Sequence, residues 1–373
     1  MRRIALSTLL ISFTWMALLV AIPLYSWDLL RNGEQKHYVA WFSGGACVLL
    51  CFPITMREIY MHLSHWHMPH VQRYVVRILW MVPIYAVESW LALRFKEMGF
   101  YISTLRECYE AYVIFSFMYF LLGLLGNEEH LGEVLRSKNP SIGSHFWPVN
   151  YCVNPWPMGH RFLDHAKLGV LQYVAVKNIA ALTKVTLEMR GLYGSEIFSW
   201  KQGYVYIVFV ENMSQTWALY ALVKFYYATK DDLAPWRPVG KFLCVKMVIF
   251  FTWWQGLMIS MLLSLGWIQD VSEEWTKDNI GHGLQDWLIC VEMLLAAVAH
   301  QHAFSYKDYL GSGDHGMALR PLYQAFLESS LPDDMFADLG RAAAGRWDWK
   351  SGALGNPAGH GKGSEDVERL LVP

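Results

Sequence analysis

The sequence predicts an all-α, polytopic membrane protein: a seven-helix transmembrane bundle preceded by one extra N-terminal apolar helix, a signal anchor or a signal peptide. Three observations carry this. Eight stretches approach the roughly 20 apolar residues needed to cross a hydrocarbon core of about 30 Å. Charged residues make up 17% of the 373-residue chain, against about 25% in soluble domains. The chain also holds 18 tryptophans, and tryptophan concentrates at membrane interfaces. With a formal net charge of -1 and no dense basic run, no nucleic-acid partner is expected.

The eight stretches are 4–27, 38–60, 74–94, 108–126, 167–189, 203–229, 241–267 and 284–304. They divide the chain into an N-terminal apolar segment with a short outer loop (1–37), a seven-helix domain (38–304) and a largely flexible tail (305–373). The first stretch, "MRRIALSTLLISFTWMALLVAIPLYSW", opens like a signal peptide, but its apolar run is longer than a usual h-region and lacks a clear small-x-small cleavage site. Anchor and cleaved signal both stay open, and the seven later helices keep the same orientation in either case.

Basic residues in short loops set that orientation. Arg2, Arg3, Arg57, Arg73, Arg136, Lys138, Arg161, Lys230 and Arg237 fall on one side; Arg31, Lys36, Arg94, Lys96, Arg190, Lys201 and Lys277 fall on the other, whose last loop is acidic. The bias places the connector "SHWHMPHVQR" and the C-terminus in the cytosol. In the tail, "GSGDHG" and "GNPAGHGKGSED" read as flexible, and one short helix is expected after Pro332. Cys47, Cys51, Cys108, Cys244 and Cys290 lie in or beside apolar stretches and read as small buried hydrophobes, not a disulfide framework.

The stretch "YMHLSHWHMPH" holds His62, His65, His67 and His70 within nine positions, so a metal site must be weighed. On a helix they would point to about 0°, 300°, 140° and 80°, and Pro69 interrupts the helix before the last. No face carries them together, and no carboxylate or cysteine joins them. A connector between two helices fits better, and no metal or cofactor is expected.

Ionised groups inside helices cost at least about 2.5 kcal/mol, so each is a candidate for function. Glu88, Glu107 and Glu110 fall near the outer ends of their helices, and Lys246 near an inner end, from which it can snorkel. Lys177 and Glu292 fall near the middle of theirs, and pairing with each other is the cheapest arrangement at that depth. Lys177, Lys184 and Glu188 share one stripe of their helix. Glu211, Asn212, Ser214 and Gln215 form a second polar patch. Gln255 in "TWWQG" can hydrogen-bond across helices, with Gly256 allowing close approach, and Arg106 and Glu110 stand at i, i+4 and can pair locally.

Several long motifs carry a resemblance: "QRYVVRILWMVPIYAVESW", "RECYEAYVIFSF", "KFLCVKMVIFFTWWQG" and "LICVEMLLAAVAHQHAF", with weaker support from "VLQYVAVK" and "ENMSQTWALY". In order, over about residues 40 to 340, the chain resembles the transmembrane protein 184 and organic solute transporter alpha family. The resemblance implies a seven-helix membrane protein. One branch of the family carries amphipathic organic anions such as steroid conjugates and bile acids with a small single-span partner; the match is closer to the transmembrane protein 184 branch. His62, Leu63, Pro69, Gln72 and Arg73 fit the family pattern in the connector, whereas His65, His67 and His70 do not. Lys177, Asn212 and Ser214 also fit; Lys184, Glu188, Glu211 and Gln215 depart from it. Animal members resemble one another in a cysteine cluster within the loop corresponding to 127–166, a site for lipid attachment, where this chain offers only Cys152.

No hydrolase, zincin, nucleotide-binding or dinucleotide fingerprint is present, so an enzyme or an ATP-driven pump is not expected. Two functions follow. The first is a passive or ion-coupled carrier of amphipathic organic anions, with Lys177, Glu292, Asn212, Glu110, Glu88 and Gln255 as candidate substrate-binding residues. The second is a non-transporting seven-helix scaffold or receptor acting in trafficking or signalling. A water-accessible cavity around Lys177 favours the first, and a dry, fully paired core the second. The expected partners are membrane lipids, the organic anion, and a single-span subunit or a second copy of the chain, in the plasma membrane or an endomembrane.

Overall fold

Proline and glycine punctuate a chain that is otherwise helical. The structure, a computed structural model, describes residues 36–194, 202–267, 277–310 and 322–343. Its helices are α1 (Lys36–Ser64), α2 (Pro69–Leu79), α3 (Met81–Arg94), α4 (Gly99–Leu125), α5 (Glu128–Ser137), α6 (His160–Glu188), α7 (Gly203–Leu233), α8 (Pro238–Ser264), α9 (Lys277–Ala303), α10 (Leu322–Ser330) and α11 (Asp333–Ala343). The all-α membrane fold is therefore as the sequence predicts. The stretch 4–27 lies outside the described residues.

The connector after α1 explains its own composition. Pro69 takes the first turn of α2, where its missing N–H costs nothing. The Gln72 amide accepts from the Met68 N–H at 2.8 Å and donates to the His65 carbonyl at 2.7 Å, stitching the end of α1 to the start of α2. Buried His62 donates from Nε2 to the Phe304 carbonyl at 2.7 Å, and His65 lies against the Tyr306 ring. His62 and His65 thus serve a helix end and ring packing. Among the described residues, no three His, Cys, Asp or Glu side chains are grouped to hold a metal ion. The rod 69–94 breaks at Trp80 because Pro83 has no N–H to offer the Leu79 carbonyl.

Five described helical rods are long and apolar enough to cross a membrane: α1, α2 with α3, α4, α8 and α9. Helices α6 and α7 are as long, 29 and 31 residues, but lysine, glutamate and amide side chains lower their hydropathy. They can lie in a membrane only by turning those groups toward protein. Helix α4 is the hub: α2, α3, α6 and α7 all pack on it. On the far side α9 packs on α1, α3 and α8, and α6 packs along α7.

The α6–α7 contact depends on Gly169, where an added Cβ would stand 2.5 Å from the Ala221 Cβ, too close for either atom. Gly169→Val is expected to force the helices apart at the overpacking cost of about 1–3 kcal/mol. Thermal unfolding of the purified protein would register this as a lowered midpoint, and an unchanged midpoint would mean the crossing is looser.

The ends of α1, α4, α7 and α9 and the starts of α2, α6 and α8 share one face of the bundle, here called the tail side. The helix expected after Pro332 is present as α11, and α10 precedes it. This part of the tail does not hang free: α10 packs on α2 and α11 on α6. Arg77, 3% exposed, reaches from α2 into the pair.

Candidate functional site

The polar interior is organised by "RECYE" on α4. Glu107 accepts from the Lys177 ammonium at 2.8 Å and from Lys184 at 2.6 Å. Glu211 on α7 pairs with the same two lysines at 3.3 and 2.9 Å. Two cations and two anions from three helices form one neutral cluster. The Lys177 and Lys184 side chains are 9% and 5% exposed and Glu211 8%, while Glu107 is 37% exposed. The one-stripe spacing of Lys177 and Lys184 on α6 directs both at the same carboxylates.

This corrects the expected Lys177–Glu292 pair. Lys177 faces α4 and α7, whereas Glu292 sits on α9, which packs against α1, α3 and α8. Similar depth placed the two residues on a level, but azimuth keeps them apart. Glu292 instead accepts from the Gln255 amide at 3.2 Å, across α8 and α9. Gly256 lets the helices approach there: an added Cβ would stand 3.3 Å from the Gln285 amide nitrogen.

The remaining candidates separate. Glu110 accepts from Gln215 of α7 at 3.1 Å. Asn212 does not join the site: it is exposed and its amide donates to the Val208 carbonyl of its own helix at 2.8 Å. The local Arg106–Glu110 pair does not form as an ion pair; Arg106 donates to Ser89 Oγ at 3.1 Å, in the field of Glu88 and of Asp286 on α9. Lys246 lies near enough to Glu110 for the two charges to interact. Sequence reasoning left out of its site Glu107, Lys184, Glu211 and Asp286. The shared stripe pointed to Lys184, and only the packing of α9 on α3 brings in Asp286. Around this core the buried Tyr85 and Tyr173 hydroxyls and one Glu88 oxygen have no hydrogen-bond partner among the described residues. Buried polar atoms of this kind are ordinarily met by water or a ligand.

A second feature lies between α8 and α9. A groove of about 960 Å³, open along its side where Leu243, Phe251 and Leu295 are exposed, runs from Arg237, Lys241 and His302 on the tail side, past Met247 and Val248, to Glu292. Its charged end is shaped by the α7–α8 turn, where Arg237 adopts a left-handed φ of 49°. Lys241 donates to Asp308 at 2.9 Å and to the Trp236 carbonyl at 3.2 Å. Arg237 is exposed and has no ion pair among the described residues. Cys244 lines the same wall, 3.4 Å from His300 Nδ1.

Apolar rods around a polar, charge-balanced interior define an integral, multi-pass membrane protein. The family model for the organic solute transporter Ostalpha matches residues 40–309, and the chain belongs to that family. It is 37% identical over 292 residues to Protein LAZ1 homolog 1 and 35% identical over 305 residues to Protein LAZ1, both of Arabidopsis thaliana. Those alignments cover 74% and 78% of this chain but 60% and 62% of the relatives, so the chain spans about three fifths of the curated relatives it matches. No solved structure matches it.

Proposed function

We propose that this transporter-like protein carries amphipathic organic anions, steroid- or bile-acid-like in size, and that the cavity between α8 and α9 receives them. The observation that carries the reading is the polarity of that cavity: cationic Arg237 at one end, beside the Lys241–Asp308 pair, apolar walls along its length, and a volume of about 960 Å³. Such a shape matches a solute with a fused apolar body and one anionic end. Lys177 has a different role from the one its sequence suggests, because Glu107 and Glu211 already neutralise it. It supports the helices, and Arg237 offers the charge.

No chemical step is assigned to the protein; transport follows the solute gradient or a coupled ion. The paired, nearly buried Lys177 is what a scaffold or receptor would show; the carrier reading is supported instead by the cavity between α8 and α9 and by the Tyr85 and Tyr173 hydroxyls, which lack a partner among the described residues. The tail side is taken as cytosolic from the distribution of basic loops. A tag after residue 373 should then be digested by protease from the cytosolic side alone.

Flux of a labelled sulfated steroid into liposomes holding the purified protein tests the reading. Arg237→Glu should raise the half-saturating concentration about 10-fold or more, the equivalent of one charge-assisted contact of about 1.5–3 kcal/mol. The uncharged parent steroid should move as before. Labelling of Cys244 by a thiol reagent should slow when the sulfated steroid is present. Unchanged anion flux in Arg237→Glu, with Cys244 unprotected, would remove the cavity from the path.

A further inference from the structure

The segment between α5 and α6, residues 138–159, is held at one level of α7. Helix α7 is 31 residues long, about 46 Å at 1.5 Å per residue, and exceeds a hydrocarbon core of about 30 Å. Its apolar stretch, 204–223, spans about 30 Å and contains one charged residue, Glu211, which is paired inside the bundle. Lys224 follows, then Lys230, Asp231 and Asp232. The tail-side edge of the hydrocarbon therefore falls near Lys224.

That is where the loop is attached. The Lys224 ammonium, 1% exposed, donates to the Ile142 carbonyl at 2.6 Å and to the Ser144 carbonyl. His145 Nε2 donates to the Asn154 carbonyl at 3.0 Å, so its Nδ1 accepts from the Tyr220 hydroxyl at 2.7 Å. That hydroxyl accepts in turn from the Phe146 N–H at 3.3 Å. Buried Trp156 packs edge-on against both His145 and Phe162. With its backbone fixed this way, the loop turns large aromatic side chains outward: Phe146 is 45%, Trp147 78% and Tyr151 78% exposed. The Phe146 ring meets Tyr227, itself exposed, edge-on, and the Lys230 ammonium lies 5.2 Å above the Tyr227 ring.

We propose that this segment is an interfacial loop that lies on the phospholipid bilayer at the tail side, with Phe146, Trp147 and Tyr151 seated among the lipid headgroups. Aromatic side chains with an apolar body and a polar tip are favoured at this depth. Their outward display costs little in lipid, whereas the same patch in water would leave apolar surface uncovered. The pinning of 142–146 to Lys224 and Tyr220 fixes the depth, and the outward rings fit the bilayer surface found there. The loop would brace the tail-side half of α7 and α6 against lipid.

Spin labels on Cys152, in a background whose other cysteines are alanine, and on Trp147→Cys in that background with Cys152 also replaced, test this in phosphatidylcholine–phosphatidylserine vesicles. A label at Asp231→Cys serves as the water-exposed reference. Power saturation should give an oxygen-to-nickel-chelate accessibility ratio several-fold higher at 147 and 152 than at 231. Ratios equal to the reference would place the loop in water and make the aromatic patch a docking surface for a soluble protein. Exclusion of both reagents would instead bury it against another copy of the chain. Either result overturns the proposal, and the Cys152 label leaves the loop's own aromatic residues untouched.

Discussion

Glu211→Ala is expected to destabilise the bundle by about 3–5 kcal/mol, the usual result of removing one partner from a buried ion pair. Without Glu211, Lys177 and Lys184 face a single carboxylate, Glu107, and the cluster carries one uncompensated positive charge between α4, α6 and α7. The charge-conserving double variant Lys184→Met with Glu211→Leu leaves the neutral pair Lys177–Glu107 and should be milder than either single change. Denaturation in a lipid–detergent mixture, read as a double-mutant cycle, measures the coupling. Lys177→Met and Glu292→Leu, by contrast, should add independently, because their side chains share no partner. Strong coupling between Lys177 and Glu292, or none between Lys184 and Glu211, would contradict the cluster.

What the sequence disclosed follows from which physical quantity each feature depends on. Apolar length is local, so the helices at 38–60, 203–229 and 241–267 appear within a few residues of α1, α7 and α8. Angular placement along one helix is also local, which is why Lys177 and Lys184 point the same way in both readings. Choice of partner is not local. Depth alone suggested Glu292 for Lys177, and only helix order around α4 reveals Glu107 and Glu211. The same limit applies to Asn212, whose polarity marks a patch but whose azimuth on α7 turns it outward. The lateral cavity was out of reach because Arg237, Phe251 and Leu295 come together only through the packing of α8 on α9. Family resemblance succeeded where the constraint lies in one short stretch: Pro69 and Gln72 have definite tasks in joining α1 to α2, and His62 ties the end of α1 to the Phe304 carbonyl just past α9.

Arg77→Met is expected to release the α10–α11 pair from the bundle. The Arg77 guanidinium uses nearly its whole donor fork there: Nε to the Ser329 carbonyl at 2.9 Å, Nη1 to both Asp334 oxygens at 2.9 Å and Nη2 to the Leu331 carbonyl at 2.5 Å. The Ser329 and Leu331 carbonyls close α10, so one side chain both caps that helix and holds the first turn of the next. Tyr119 donates to Asp338 and Trp66 to Glu328 at 3.3 Å, but those contacts sit at the margins of the pair. Helices of 9 and 11 residues are too short to persist alone in water. Loss of the arginine should therefore both undock and unwind them, uncovering the buried Ala325, Ser329 and Met335 and opening the backbone to protease. Cleavage between residues 322 and 343 should accelerate by at least 100-fold, in keeping with the loss of about 3 kcal/mol or more from a buried charged contact. Asp334→Asn should act in the same direction but less, since the two carbonyl contacts of Arg77 survive. Acid gives an independent check: burial raises the Asp334 carboxyl, yet the hydrogen bonds and charge of Arg77 and the Tyr74 hydroxyl pull it below the ordinary carboxylate value. A depressed carboxyl stabilises docking above its unfolded pKa of about 3.9 and loses that contribution as pH falls through the folded value. Asp338 opposes this, because burial, partly offset by Arg341, holds its carboxyl above the ordinary value. The acid-induced loosening should consequently be steeper in Asp338→Asn than in the parent and absent from the Asp334→Asn, Asp338→Asn double variant. Equal protease resistance of Arg77→Met and the parent would show that apolar packing of α10 on α2, and not the guanidinium, holds the tail in place.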